Sequence, residues 1–530
     1  MVVSAHPEAS KIGIKILQLG GNAFDATVAT EFALAVCFPI AGNIGGGGLL
    51  VFRQKNGEIG TLDYREKAPA LAHKNMYLDE KGEIIKDKSQ DGALAVGVPG
   101  TVAGMYALHQ QFGKLEWKKI VQPAIDLAKN GLIVTEKEAN KFNENQDAFK
   151  KFNIHISAFI NDKKWKKGDI LIQPALAFTL EKIRDNGKKG FYEGEIAALI
   201  VEEMKKQKGI ITFDDLKNYT PTFRRPLLSK YRGKTIITMP PPSAGGLLLT
   251  QMLQMLQPFD LKNLGFQSEK YIQLLTEVER RAYADRAKYL GDSDFFPVPI
   301  DQLLHPKYIR ERMKSFSFEK ATPSKDIQEG KLLPISEETT HYCVIDEDGN
   351  AISATTTLNG AYGSKVVVTG AGFFLNNEMD DFSGKPNAPN LYGLIGSEAN
   401  SIAPNKKMLS SMTPVIVEEK GKISFLVGTP GGSTITTSVL QTIINVIDFE
   451  MNMADAVASP RFHHQYLPDE IQYEETNLNF TEKLVKNLEK KGYFLKKRIP
   501  IGRVQGIKIM PDGRYEGGAD TRGDDTAIGF

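Results

Sequence analysis

The sequence predicts a protein of the α+β class, and three observations carry that expectation. Helix-period segments crowd residues 105–225. Strand signals dominate from Thr339 to about Val427, and the first and last hundred residues mix the two. There is no repeat of fixed period and no long low-complexity tract, so the chain is not a solenoid or an array. At 530 residues it can bury more than one core, and length alone suggests two or three domains.

The elements follow in order. "EASKIGIKILQLGG" has apolar residues at helical spacing and closes on a glycine pair. "NAFDATVATEFALAVCFP" restarts a helix with Asn22 as N-cap and stops at Pro39; apolar around most of its circumference, it suits a helix buried between layers. "LLVFRQKNGEIGTLDYRE" reads as a hairpin turning at Asn56-Gly57. "GTVAGMYALHQQFG", "WKKIVQPAIDLAKNG" and "ALAFTLEKIRDNG" are helices of a Lys-rich region. The long segment from Ser268 to Gly291 is the clearest helix of all. Residues 318–338, polar, aperiodic and holding two prolines, read as a surface loop or linker, and the main boundary falls at its end, Glu338. Further helices are expected in "TSVLQTIINVIDF" and "NFTEKLVKNLEKKG".

Composition excludes several functions. With 66 basic and 64 acidic residues the net charge is +2, which gives no global field for nucleic acid or anionic membrane, and no basic run carries interleaved aromatics. No apolar run approaches the roughly 18 residues of a membrane span. Two cysteines, Cys37 and Cys343, cannot build a disulfide framework or a cysteine metal site; Cys37 reads as a core residue.

The stretch "SEETTHYCVIDEDGNAISATTTLNGAYGS", Ser336 to Ser364, reads as one hairpin. With Glu347-Asp348-Gly349 as a three-residue loop, Asp346 faces Asn350. Thr339 and Thr357 then lie opposite each other on one face, their Cβ atoms roughly 5 Å apart. Hydroxyls on the solvent face of an edge ribbon would explain such a pair by packing alone. Thr339, however, is the first strand residue after the linker. A cut at Glu338–Thr339 would give it a free α-amino group, whose pKa of about 8 suits it to act as base for its own hydroxyl.

"GGNAFDATVA", "GNIGGGG", "DYREKAPA", "VPGTVAG", "PPPSAGG", "AYADRAKYLGD", "TTHYCVID", "LNNEMDDFS", "LSSMTP", "GTPGGS" and "PRFHHQ" together resemble, in order and over nearly the whole chain, the γ-glutamyltranspeptidases of the N-terminal-nucleophile hydrolase superfamily. The resemblance implies a four-layer αββα sandwich made as one precursor. It implies self-cleavage at Glu338–Thr339 into a large subunit, residues 1–338, and a small one, residues 339–530, which stay together as a heterodimer. Thr339 would attack γ-glutamyl compounds such as glutathione, and the γ-glutamyl ester would pass to water or to an amino-acid or peptide acceptor. No cofactor and no metal is implied.

The resemblance also assigns roles. Thr357 would orient Thr339. Arg65, Ser410 and Ser411 would take the substrate's α-carboxylate, a suitable partner for a planar guanidinium. Asn359, Glu378 and Asp381 would accept from the α-ammonium. The N–H groups of Gly431 and Gly432 would form the oxyanion hole, and Tyr392, on a lid-like segment, would shield the bound group. "GTPGGS" and "GNIGGGG" lack the lysine of a phosphate loop, and the second reads as close layer packing. His463-His464 reads as structural, and His341 is not required as a base.

Other readings stay open at this level. On the same scaffold stand a glutaryl or cephalosporin acylase, against which the ammonium acceptors argue, and a poly-γ-glutamate depolymerase, against which the lid argues. A non-processing γ-glutamyl binding protein would have lost Thr339 or the clamp. Cys343 stands where the family more often has a small hydroxyl residue. Taken alone the chain reads as cytoplasmic, whereas the resemblance implies a bacterial protein of the periplasm or cell exterior, with an export signal upstream of Met1.

Overall fold

The computed structural model describes residues 1–85, 87–153, 157–327, 339–385, 390, 393–394 and 396–530. Two antiparallel sheets stack face to face, with helices on both outer faces. The first has seven strands in the spatial order Thr526–Ile528, Val2–Ser4, Thr340–Ile345, Ala351–Thr357, Gly47–Arg53, Ile59–Asp63, Thr222–Arg224. The second has six: Tyr515–Ala519, Gln505–Ile509, Lys422–Gly428, Val415–Glu419, Lys234–Thr238, Leu227–Tyr231.

Side-chain alternation along the strands builds the layers. Val3, Leu49, Val51, Cys343 and Ile345 of the first sheet meet Ile237, Ile416, Leu426 and Ile507 of the second in one apolar layer. Their strand neighbours Val2, Leu50, Phe52, Tyr342 and Val344 face the other way, into helices that include Pro7–Gln18, Ala23–Cys37 and Trp117–Asn130. The outer face of the second sheet is covered by Ala244–Leu256, Glu269–Tyr289 and Ile435–Ile447. The result is the αββα sandwich that the sequence resemblance implies.

The helices expected from periodicity are present, each with a local cause. Asn22 and Asp25 form a reciprocal capping box at the start of Ala23–Cys37, and every residue of that helix is buried. Ser268 caps Glu269–Tyr289. The hairpin at Asn56-Gly57 is also present, with Gly57 at φ +89°. Among the described residues between 358 and 414, turns replace the expected strands, with isolated bridges such as Val367 with Phe374 and short 3-10 turns at Glu378–Asp381 and Glu398–Asn400.

Length alone suggests several domains, yet both sheets draw strands from both sides of residue 339. The linker reading also changes where it is described. Thr322 N–H donates to Glu277 (3.0 Å), and Ser324 is bonded to Asp469, Tyr466 and Arg280, so residues 321–327 are docked onto the second helical layer. Residues 328–338, and Glu338 with them, lie outside the described residues.

Candidate active site

The hairpin of Thr340–Ile345 and Ala351–Thr357 has the register its turn dictates. Asp346 N–H donates to Asn350 O (3.1 Å), Gly349 takes φ +86°, and the last paired residues are Thr340 and Thr356. One step further places Thr339 opposite Thr357, with their hydroxyl oxygens 3.4 Å apart. The hairpin is not an edge ribbon with a solvent face: its strands are third and fourth of seven and buried throughout. Thr357 Oγ accepts from Asn359 N–H (2.7 Å), which leaves its own hydrogen to be turned toward Thr339. Asn359 reaches that position in a left-handed conformation, φ +73°, which asparagine tolerates better than most residues.

The glycines of "GNIGGGG" explain how closely the neighbouring strand approaches. A Cβ on Gly46 would stand 2.1 Å from Thr357 O, and one on Gly48 2.6 Å from Thr355 O. Asn43, which sequence reasoning did not single out, donates to Thr357 O (2.9 Å) and accepts from Gly46 N–H (2.8 Å), fixing the end of the strand from behind.

Arg65 follows strand Ile59–Asp63 and is buried. Its Nη1 lies 2.5 Å from Glu378 Oε2 and 3.4 Å from Glu66 Oε2, and its Nη2 lies 2.5 Å from Asp381 Oδ2. Glu378 and Asp381 are the first and last residues of one 3-10 turn, which aims both carboxylates at the guanidinium. Burial works against each charge. It raises Glu378 well above the usual carboxylate range despite Arg65, with Glu66 and Asp381 adding repulsion. Asp381 is raised as well, against Arg65 and Arg286. Glu66 and Arg286 are further charged groups of the site. Glu66 stood in the quoted stretch "DYREKAPA", but nothing in its spacing marked it.

Ser410 is set by the "PPPSAGG" loop: its N–H donates to Pro242 O (2.9 Å) and its carbonyl accepts from Ala244 N–H (2.7 Å). A Cβ on Gly245 would meet Thr413 Oγ at 2.0 Å, so the loop closes on this segment only with glycine there. Gly431 and Gly432, at φ +133° and +49°, lead through a 3-10 turn into helix Ile435–Ile447, whose N-terminal end favours negative charge.

One cavity brings most of these groups together. Arg65, Thr339, Thr357, Asn359, Glu378, Asp381, Ser410, Ser411 and Gly432 line it, with Met412 and Ile435 as apolar wall. It is small and partly open to solvent. Gly431 adjoins this lining, and Tyr392 lies outside the described residues. Asn390 of the lid-like segment donates to Asp381 (2.9 Å).

The tempting histidines are elsewhere engaged. His341 is buried and pushed down to about 3 by desolvation, with Nδ1 2.8 Å from Thr355 Oγ. Cys343 beside it is pushed up by burial and stays a thiol. His463 bonds Thr437 and Gln465 (2.8 and 2.9 Å), while His464 bonds Asp469 and Tyr466 N–H. Among the described residues no cluster of His, Cys, Asp and Glu could hold a metal ion.

Comparison with solved structures agrees with the layers. A cephalosporin acylase from Bacillus halodurans superposes with a TM-score of 0.84 at 26% identity, over 99% of this chain and 94% of that one. The Helicobacter pylori γ-glutamyltranspeptidase superposes at 0.60 with 44% identity, over 62% of this chain and 94% of that one. Fold and site define an N-terminal-nucleophile hydrolase. Residues 9–530 match the family model described as gamma-glutamyltranspeptidase, and the chain belongs to that family. Curated relatives include the glutathione hydrolase proenzymes of Escherichia coli K12 (44% identical, 100% of this chain, 92% of that protein) and Pseudomonas aeruginosa (45%, 98% and 93%).

Proposed function

We propose that the chain is a self-cleaving γ-glutamyltransferase and glutathione hydrolase whose nucleophile is Thr339. The observation that carries this reading is one cavity with the Thr339–Thr357 hydroxyl pair and the buried cluster of Arg65, Glu378 and Asp381 among its walls. In the precursor, Thr339 Oγ adds to the carbonyl carbon of Glu338. The peptide bond gives way to an ester, and water releases residues 1–338 from residues 339–530, which remain paired as a heterodimer. The freed α-amine of Thr339 then takes the hydroxyl proton as the oxygen attacks a γ-glutamyl amide, and returns it to the leaving amine. Thr357 orients the nucleophile. Gly431 and Gly432 donate to the tetrahedral oxyanion, and water or an acceptor amine resolves the γ-glutamyl ester.

Substrate fits by charge. Arg65, Ser410 and Ser411 hold the α-carboxylate, while Glu378, Asp381 and Asn359 hold the α-ammonium. A glutaryl group has no ammonium, so burying these acids beside the cavity supports γ-glutamyl over glutaryl substrates, although acylases share the scaffold. The reading extends to a periplasmic or extracellular place of action, which fractionation of the native host would check.

Purified protein run on a denaturing gel with intact-mass analysis is the decisive experiment. Two fragments meeting at Glu338–Thr339, activity on γ-glutamyl but not glutaryl amides, and a single inactive band for Thr339→Ala are expected. A wild-type chain that stays whole after long incubation would overturn the assignment of Thr339.

A further inference from the structure

We propose that the Gly432 N–H is aligned and polarised from outside the cavity by a relay of hydrogen bonds that starts at the Tyr283 hydroxyl. This rests on the γ-glutamyl reading above, in which that N–H donates to the oxyanion. Tyr283 belongs to "AYADRAKYLGD", one of the stretches that carry the family resemblance, and has no role in the chemistry proposed so far. It is buried on helix Glu269–Tyr289 and lies outside the residues that line the cavity.

The Tyr283 hydroxyl donates to Ser433 O, just past the two glycines. The peptide that joins Ser433 to Thr434 is trans, and in a planar trans peptide the C=O and N–H point opposite ways. A donor fixed on Ser433 O therefore turns the Thr434 N–H to the other side, where it donates to Gly431 O (2.9 Å). The Thr434 hydroxyl donates to the same oxygen (2.8 Å). The peptide that joins Gly431 to Gly432 is trans as well. With its carbonyl held on one side, its N–H, that of Gly432, is presented on the other. Gly432 lines the cavity with Thr339.

Hydroxyl and two peptide dipoles thus run head to tail toward the place where negative charge develops. Gly432, Ser433 and Thr434 are all buried, and in such an interior each hydrogen bond of a chain strengthens the next. The glycines need this support. At φ +133° and +49° they reach a geometry open to few other residues, but glycine does little to hold a peptide plane once there. The Tyr283 ring stands edge-on to His463, with centroids 5.8 Å apart, a contact that phenylalanine would keep. Only the hydroxyl acts on the loop, which makes Tyr283 a positioning residue.

The test compares two ligands on cleaved wild type and Tyr283→Phe. One is the glutamate analogue with a boronic acid in place of the γ-carboxyl. Thr339 Oγ adds to its boron, the hydroxyl proton passes to the α-amine, and a tetrahedral boronate anion places an oxygen in the hole. The other is L-norleucine, which offers the same α-carboxylate and α-ammonium but nothing to the hole. Losing an oxyanion donor outright costs roughly a hundredfold or more in kcat, so weakening its support should cost about tenfold. Acylation and deacylation both pass through an oxyanion, so KM for a γ-glutamyl anilide should stay within about twofold. The boronate's inhibition constant should rise about tenfold, and that of norleucine should not move. A packing role alone would lower the melting temperature and weaken both ligands alike. That result, or unchanged kcat and boronate affinity, overturns the inference and leaves the γ-glutamyl reading standing. A wild-type enzyme that neither hydrolyses the anilide nor binds the boronate overturns the reading itself. Should Tyr283→Phe fail to fold or cleave, the middle of the relay decides: Thr434→Val should weaken the boronate and spare norleucine, Thr434→Ser should restore it, and equal boronate affinity in the two overturns the relay.

Discussion

Thr357 holds its place through three contacts: its carbonyl on Asn43, its hydroxyl on Asn359 N–H, and that same hydroxyl 3.4 Å from Thr339. Thr357→Ala removes only the last two. Loss of one positioning hydrogen bond predicts self-cleavage and kcat slowed by about tenfold or more with little change in KM, and recovery in Thr357→Ser. Arg65→Lys should behave differently. A point charge cannot bridge Glu378 and Asp381 as the planar fork does, so KM for γ-glutamyl substrates should rise about tenfold or more, read in steady-state kinetics. At this scale the sequence was most legible where chemistry and spacing coincide: the hairpin turn alone put Thr339 opposite Thr357. It was silent about Glu66 and Asn43, because a glutamate beside an arginine, or an asparagine in a glycine run, looks the same in a solvated loop as in a buried site.

The helix Ala23–Cys37 shows what burial does to a whole element. Its Glu31 is fully buried, accepts from Tyr342 OH (2.8 Å), and is pushed up to about 7 by desolvation. An acid whose folded pKa is raised costs nothing below its unfolded value of about 4.5 and costs progressively more up to about 7. Glu31→Gln should therefore match the wild type near pH 4.5. At pH 8 it should be more stable by about 3 kcal/mol, measured as a melting shift that grows between those limits. The residue just before strand Gly47–Arg53 gives a second expectation. Gly46→Ala would drive a methyl group into Thr357 O, so slower self-cleavage by about tenfold or more should accompany a lowered melting temperature. Period and caps made these elements readable from the chain. The turns between residues 358 and 414 were not, because apolar residues such as Val366 to Val368 are buried there without joining a sheet ladder, and burial pattern alone does not separate a packed loop from a strand.

For the whole molecule the governing fact is that both sheets are woven from both sides of residue 339. Cleavage at that point cannot release two globules. The fragments should co-elute in native size exclusion at the mass of the intact chain and part only in denaturant, where the covalent cut becomes visible. The layered order of the sheets was beyond sequence reading of the residues themselves, since strand order depends on pairings hundreds of positions apart; only the family resemblance carried it.

Strand Val2–Ser4 lies between Thr526–Ile528 and Thr340–Ile345, the strand that follows Thr339. The segment that presents Thr339 is therefore flanked by a partner made more than three hundred residues earlier, itself flanked by one made nearly two hundred residues later. Pairings so distant along the chain are the slow steps of folding. On the proposed reading, cleavage before Thr339 would wait for these slow pairings, a clock that starts only once the strands around Thr339 have come together. A partly folded chain would then carry no live nucleophile, and the hydrolase would be harmless until it is whole.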